Sequence, residues 1–287
     1  NKQVERNSRV KARVKAHALR EVIISREHVM IMGHSISDVD SLGAAIGVYC
    51  AARVLGKKAQ IVLNEVTSSL RPLVEGFSEE NGYPADLFIR SEEVNRPSYT
   101  ECPELLQRTD TVCVFDHHRQ SSEVIEKPML SYVEPYASST CEMIAEVLQY
   151  FSENIKLAPH EADCIYAGIL IDTNNFMTKT GVRTFEAAAY LRRAGAEVTR
   201  GRKLLRDDMA AYKARAEAVR HAEVYRKAFA ISVCPADNVE SPTIAGAQAA
   251  NELLNIVGIK ASFVLTEYQN KIYVSSRSID EINVQLI

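Results

Sequence analysis

The sequence predicts an α/β protein of two domains: a larger one on a mostly parallel sheet with helices on both faces, then a smaller α/β domain. Three observations carry this. Apolar strand-like runs alternate with helical stretches, the pattern of parallel sheets. Several of these runs end in clusters of ionisable residues, and open α/β sheets gather ligands at the carboxyl ends of their strands. The length of 287 residues, 46% of them hydrophobic, suits two cores at roughly 100 to 200 residues per domain.

In chain order, Val10, Val14, Ala18 and Ile23 fall near helical spacing among Arg and Lys, with no Gly or Pro between them. They predict a leading helix within 1–27 that acts as a linker. Residues 28–32 form a short strand closed by Gly33, and 41–54 form a helix rich in Ala, Leu and Ile. A strand at 59–63, a helical piece at 105–108 and a strand at 111–115 follow. Helices at 138–150, 160–171 and 183–194 complete the larger domain, 28–199, with Gly195 closing the last. A charged stretch with few breakers predicts a connecting helix over 200–225. Beyond it, strands at 228–233, 261–267 and 271–275 around a helix at 245–256 make the smaller domain, 226–287.

Charge and cysteine content narrow the function. A net charge of −3 gives no basic footprint for long nucleic acid, while a small anionic ligand held by local charges remains compatible. Six cysteines without a CxxC pair sit mostly in apolar runs, which suits a reducing, cytoplasmic compartment. No apolar stretch approaches the roughly 20 residues of a membrane span, although a longer parent chain is free to be membrane-anchored.

Two strings concentrate the chemistry. In the first, His34, Asp38 and Asp40 lie within seven residues after a strand. On an extended stretch Asp38 and Asp40 share one side. Oxygen-rich sites with some imidazole suit Mn²⁺ or Mg²⁺ better than structural zinc. The competing reading is that the two aspartates cap the next helix. The second string, Asp116-His117-His118-Arg119, emerges from the apolar run Val112 to Phe115. Asp172 ends a third apolar run, with a turn or helix cap as its alternative role. A metal hydrolase accounts for all three together.

With these strings the chain resembles the DHH phosphoesterases that carry a C-terminal DHHA1 domain. Their members include oligoribonucleases, single-strand exonucleases and cyclic-di-AMP phosphodiesterases. The resemblance is closest to the catalytic portion of the last group. It extends through Glu134-Pro135-Tyr136-Ala137-Ser138-Ser139-Thr140, Asp172-Thr173, Gly181-Val182-Arg183-Thr184-Phe185 and the segment from Gly246 to Leu254. It implies two Mn²⁺ ions, with Mg²⁺ or Fe²⁺ as alternatives. His34 and Asp38 would ligate the first ion, and Asp40, His117 and Asp172 the second. It further implies that His118 faces the substrate phosphate and that Asp116 orients a histidine. Arg119, Ser138 and Ser139 are candidate phosphate contacts, the serines equally candidate helix caps. Arg277, in Ser275-Ser276-Arg277-Ser278, is a candidate nucleotide contact or a surface ion pair.

The implied reaction opens cyclic di-AMP to 5′-pApA in a cleft between the domains. Linear dinucleotides or short oligoribonucleotides are alternative substrates, and a non-catalytic nucleotide sensor is the alternative class. A homodimer is a compatible assembly. Two departures bear on this. The family carries a metal-bridging aspartate at the end of an apolar strand, where this chain reads Ser91-Glu92-Glu93-Val94 with no apolar run before it. Either an interior segment is missing or the site is degenerate, and a buried central strand is rarely lost, which favours the first. The family's glycine-rich closing segment would also lie beyond Ile287.

Overall fold

The computed structural model describes residues 2–34, 37–90, 109–118, 125, 127–279 and 284, with side chains from residue 8 onward. The chain divides into two compact units, Asn1–Leu205 and Arg206–Ile287. The first runs α1 (Lys2–Ile24), β1 (His28–Met32), α2 (Val39–Val54), β2 (Lys58–Val62), α3 (Arg71–Val74), β3 (Phe88–Ile89), β4 (Cys113–Asp116) and β5 (Leu130–Val133). It continues through α4 (Thr140–Phe151), α5 (Pro159–Asp172), α6 (Val182–Arg193) and α7 (Val198–Leu204). The second holds α8 (Met209–Arg220), β6 (Glu223–Tyr225), β7 (Phe229–Cys234), α9 (Pro242–Leu253), β8 (Ala261–Tyr268) and β9 (Lys271–Ser278).

Helix α1 buries Ala12, Ala16, Leu19 and Ile23, a single face at spacings of four, three and four, while Val10 and Val14 face solvent. This corrects the expected stripe through Val10 and Val14. The helix also packs against α4 and is part of the unit, not a free linker.

Helix α2 is apolar nearly all round, and it is buried accordingly, against both α4 and α5. Two glycines permit the close approach. A Cβ on Gly43 would stand 2.7 Å from the Cys164 carbonyl oxygen, and one on Gly168 3.1 Å from the Asp40 Cα. Around this contact Ile46, Met143, Ile144, Ile165 and Ile169 are all but inaccessible. Each contributes on the order of 1.5–3 kcal/mol of burial free energy.

Among the described residues the parallel sheet is in two pieces. One has the order β1-β2-β3, with Met32 opposite Val62, and the other is β4-β5. Both are parallel, as expected, but no described strand joins them. The expected helix at 105–108 and the stretch 91–94 lie outside the described residues.

The expected connecting helix over 200–225 is interrupted. α7 ends at Leu204, and Asp208 starts α8 anew by accepting the Ala211 N–H at 2.8 Å. Residues 223–225 are a strand. In the second unit the sheet order is β6-β7-β8-β9, with only the middle pair parallel. α9 covers it, close enough that a Cβ on Gly246 would collide with the Thr266 hydroxyl.

Candidate metal centre

Helix α2 is started by Asp38, whose Oδ1 accepts the Ser41 N–H at 2.8 Å while Ser41 Oγ accepts the Asp38 N–H at 3.0 Å. That reciprocal cap leaves the second residue of the helix, Asp40, pointing into the unit. Asp40 Oδ2 accepts the Thr140 N–H at 2.9 Å and Oδ1 accepts the Cys141 N–H at 2.8 Å. These are the first two amides of α4, where unpaired N–H groups favour an anion. His117, just past β4, sets its Nε2 3.6 Å from Asp40 Oδ2 and 3.2 Å from Asp172 Oδ2.

Asp40, His117 and Asp172 thus form one cluster, with a ligand atom from each within 4.8 Å of the others. Asp40 and His117 are buried, and Asp172 is partly so. Burial pushes the Asp40 carboxyl up, and repulsion from Asp172 adds to it, against the opposing Cys141 and Thr140 amides. For His117, burial alone lowers the pKa, but the Asp172 hydrogen bond and the charges of Asp40 and Asp172 outweigh it and raise it. Asp172 is the last residue of α5, where the helix dipole disfavours an anion and favours a cation. Two carboxylates facing one imidazole at such a point carry excess negative charge. A divalent cation balances it, so this donor set fits a metal.

His34 and Asp38 lie outside that buried group and form an exposed pair, Nε2 to Oδ2 at 3.3 Å. Burial raises the Asp38 carboxyl, but the His34 hydrogen bond and the Ser41 amide prevail and lower it. Asp38 therefore both caps α2 and faces His34. Asp116, the end of β4, accepts the His118 backbone N–H at 2.9 Å and stands 2.8 Å from His118 Nδ1. Burial raises the Asp116 carboxyl, while the His118 side-chain and backbone bonds lower it further than burial lifts it. An ionised carboxylate only accepts, so Nδ1 is the donor. The His34 and His118 rings are 6.4 Å apart, which places the exposed pair, His118 and the buried cluster in one region.

The serines are both engaged with the start of α4. Ser139 caps α4 by accepting the Glu142 N–H at 3.0 Å, and Ser138 donates its hydroxyl to Glu142 Oε2. Both are buried, so neither is placed to meet a phosphate in this conformation. Arg119 lies outside the described residues. In the second unit Arg277, on β9, donates Nε–H to Asn251 Oδ1 at 3.0 Å. Burial lowers its pKa. Arg277 is half-buried, with no surface ion pair among the described residues.

Sequence reasoning missed the groups that hold the site. The Thr140 and Cys141 amides carry no signal at the side-chain level. Glu142 and Glu146 are nearly inaccessible, and Arg183 binds Glu146 through two bonds of 2.7 and 2.6 Å. The only hint was that Arg183 belongs to a motif already singled out.

Residues 28–169 match the family model described as "DHH family, N-terminal domain". Residues 28–169 are a DHH-family domain. The chain is 37% identical over 303 positions to the cyclic-di-AMP phosphodiesterase GdpP of Geobacillus thermodenitrificans (strain NG80-2), covering 99% of this chain and 46% of that protein. It is 35% identical over 302 positions to the cyclic-di-AMP phosphodiesterase PdeA of Listeria monocytogenes serotype 1/2a (strain 10403S), at 99% and 46% coverage. The chain thus spans about half the length of these DHH relatives. The GdpP alignment's 303 positions exceed the chain's 287 residues, so at least 16 positions of that relative have no counterpart here. Among solved structures, an exopolyphosphatase-related protein from Bacteroides fragilis superposes with a TM-score of 0.74 at 17% identity, covering 93% of this chain and 83% of that one. That likeness shows a shared fold.

Proposed function

We propose that this chain is the catalytic portion of a metal-dependent phosphodiesterase that opens cyclic di-AMP to 5′-pApA. The observation that carries the reading is the buried Asp40–His117–Asp172 cluster, supported by the relatives named above. Asp40, His117 and Asp172 would hold one ion, and His34 with Asp38 a second. The mixed oxygen and imidazole donors suit Mn²⁺, with Mg²⁺ or Fe²⁺ as alternatives. When bound, such ions supply Lewis acidity at the phosphate and lower the pKa of water.

The chain's own groups do the rest. His118, oriented through Nδ1 by Asp116, is exposed and presents the remainder of its ring to a phosphate oxygen. Water's oxygen bonds to phosphorus, the P–O3′ bond breaks, and a proton passes to the departing 3′ oxygen, leaving a 5′-phosphate. In the smaller domain, the Asn251-braced Arg277 supplies a positive charge for the dinucleotide. A cytosolic location suits this substrate, and no helix among the described residues is long and apolar enough to cross a membrane.

Purified protein assayed with cyclic di-AMP and linear pApA, with Mn²⁺, Mg²⁺ or chelator, tests this. Metal-dependent turnover faster on the cyclic substrate is expected. Equal or faster turnover of the linear one would move the assignment to short oligoribonucleotides. A second reading, a nucleotide sensor without turnover, rests on the sequence Ser91-Glu92-Glu93-Val94 standing where the family carries its bridging aspartate. Saturable cyclic di-AMP binding with no product under any metal would establish that one.

A further inference from the structure

The turn that follows Asp172 has a strained backbone. Asn174, Asn175 and Phe176 have φ of 46°, 56° and 65°, three consecutive residues in the left-handed region. Asparagine tolerates that region, but for a bulky aromatic it is an outlier. The surroundings hold it there. Thr173 Oγ1 donates to the Ile169 carbonyl at 2.6 Å and accepts the Phe176 N–H at 3.0 Å, while the Asn175 N–H donates to the Leu170 carbonyl at 2.8 Å. Strain that a fold maintains in this way collects at ligand sites.

What the strained turn places is an aromatic pair. Phe176 stacks on Phe185 of α6, with ring centroids 5.6 Å apart and planes 21° from parallel. Phe176 is partly buried against the core, whereas Phe185 is 57% exposed. One face of the Phe185 ring is therefore taken and the other is open to solvent. Val182, one turn earlier on the same face of α6, is exposed beside it. Two ties hold the pair next to the metal centre. Thr173, which fixes Phe176, directly follows Asp172. Thr184, which precedes Phe185, donates its hydroxyl at 2.6 Å to Glu142 Oε2 on α4, the helix whose first amides hold Asp40. Lys179, in the same loop as Phe176, adds an exposed positive charge.

We propose that the open face of Phe185 is a platform on which one adenine base of the dinucleotide stacks while its phosphate meets the metal centre, an assignment that rests on the dinucleotide reading above. A ring with one free face gains most from a second flat π-system in offset contact, which a base supplies. Stacking of this kind tolerates every base, so the platform contributes affinity and register without choosing among them. An aliphatic partner would gain from Val182 and Phe185 alone. A nucleotide brings a base for Phe185 and a phosphate for Lys179 together.

The whole chain contains no tryptophan, so Phe185→Trp installs a single fluorescent reporter on the platform and keeps a ring to stack. The variant is titrated in Mg²⁺ with the hydrolysis-resistant bis-phosphorothioate of cyclic di-AMP and with linear pApA, while equilibrium dialysis measures binding independently. Saturable quenching of the tryptophan emission by the cyclic analogue is expected. Phe185→Leu keeps apolar bulk without a ring and should bind the analogue about tenfold more weakly, with Mn²⁺ affinity in calorimetric titration unaltered. A merely structural role would instead lower the melting temperature and leave nucleotide binding as it was. Analogue bound in dialysis with no change in emission overturns the platform and leaves the reaction standing, as does equal binding by the Phe185→Leu variant. Quenching by pApA alone keeps the platform and overturns cyclic di-AMP as the substrate. Binding of neither ligand to the unaltered chain overturns both. Phe185 is exposed, so both variants should fold, as circular dichroism checks; if one does not, the other decides against the unaltered chain.

Discussion

Asp40 does two jobs with one carboxylate. Each oxygen takes one α4 amide, which fixes the group, and the remaining lone pairs face His117 and Asp172. Asp40→Asn keeps the shape but removes the charge a cation needs and leaves one of the two α4 amides without its acceptor. Even groups that merely support a ligand are worth about 10–100-fold in metal affinity or activity. Asp40→Asn should therefore lower Mn²⁺ affinity at least about hundredfold in calorimetric titration, with the circular dichroism spectrum unchanged; unchanged affinity would remove Asp40 from the site. The titration of His117 gives a second expectation. Its pKa is raised above 6.5 in the fold, so its pairing with the carboxylates stabilises metal-free protein fully below pH 6.5. That contribution is lost as pH rises through the higher folded value. Asp40, also raised, acts in the same direction from a lower pH. Asp38 and Asp116, both lowered, contribute stability that is complete above about pH 4. In chelator, melting temperature should fall as pH rises above about 6.5 and the His117→Gln variant should lack that fall. Metal affinity should climb over the same window, by up to about tenfold per unit for one displaced proton.

At the scale of elements, α4 is the piece on which the site depends. Its first amides hold Asp40, Ser139 caps it, and Gly168 lets α5 approach it closely. Ser139→Ala removes the acceptor for the Glu142 N–H and should cost about 1 kcal/mol of stability in denaturant unfolding. Gly168→Ala should be worse, because its Cβ meets the Cys141 sulfur and crowds the Asp40 backbone. An unaltered Mn²⁺ affinity in that variant would show that Asp40 does not need its present position. How legible these elements were follows from the range of the interactions that make them. β1 and α2 could be read because their signals are local: an apolar run, a glycine and an aspartate cap. The grouping of ionisable residues was visible too, since strand ends collect ligands in parallel sheets. The Thr140 and Cys141 amides were not, because they lie about 100 residues from Asp40 and carry no side-chain signature. Ser138 and Ser139 illustrate the converse: small hydroxyls serve a phosphate and a helix cap equally well, and only burial against Glu142 distinguishes the two. The inward face of α1 was misplaced because alanines, small enough for close packing on α4, outranked the more hydrophobic valines.

At the scale of the whole molecule, the Asp40–His117–Asp172 cluster and Arg277 belong to different compact units, Asn1–Leu205 and Arg206–Ile287. Each has its own hydrophobic core, one gathered around α2, α4 and α5, the other under α9. Chains of this kind do not unfold as a single two-state system, so scanning calorimetry should resolve two transitions. A ligand that binds only the native form of one unit stabilises that unit by about 2.7 kcal/mol when present at a hundred times its dissociation constant. For a unit of this size, each kcal/mol moves the midpoint by roughly 2–4 °C. Saturating Mn²⁺ should therefore raise one transition by about 5–10 °C and leave the other in place. The Asp40→Asn variant should show both transitions and neither shift. If Mn²⁺ moved the two transitions equally in the native protein, the cation would be binding beyond the first unit, and the buried Asp40–His117–Asp172 cluster would not be its principal site.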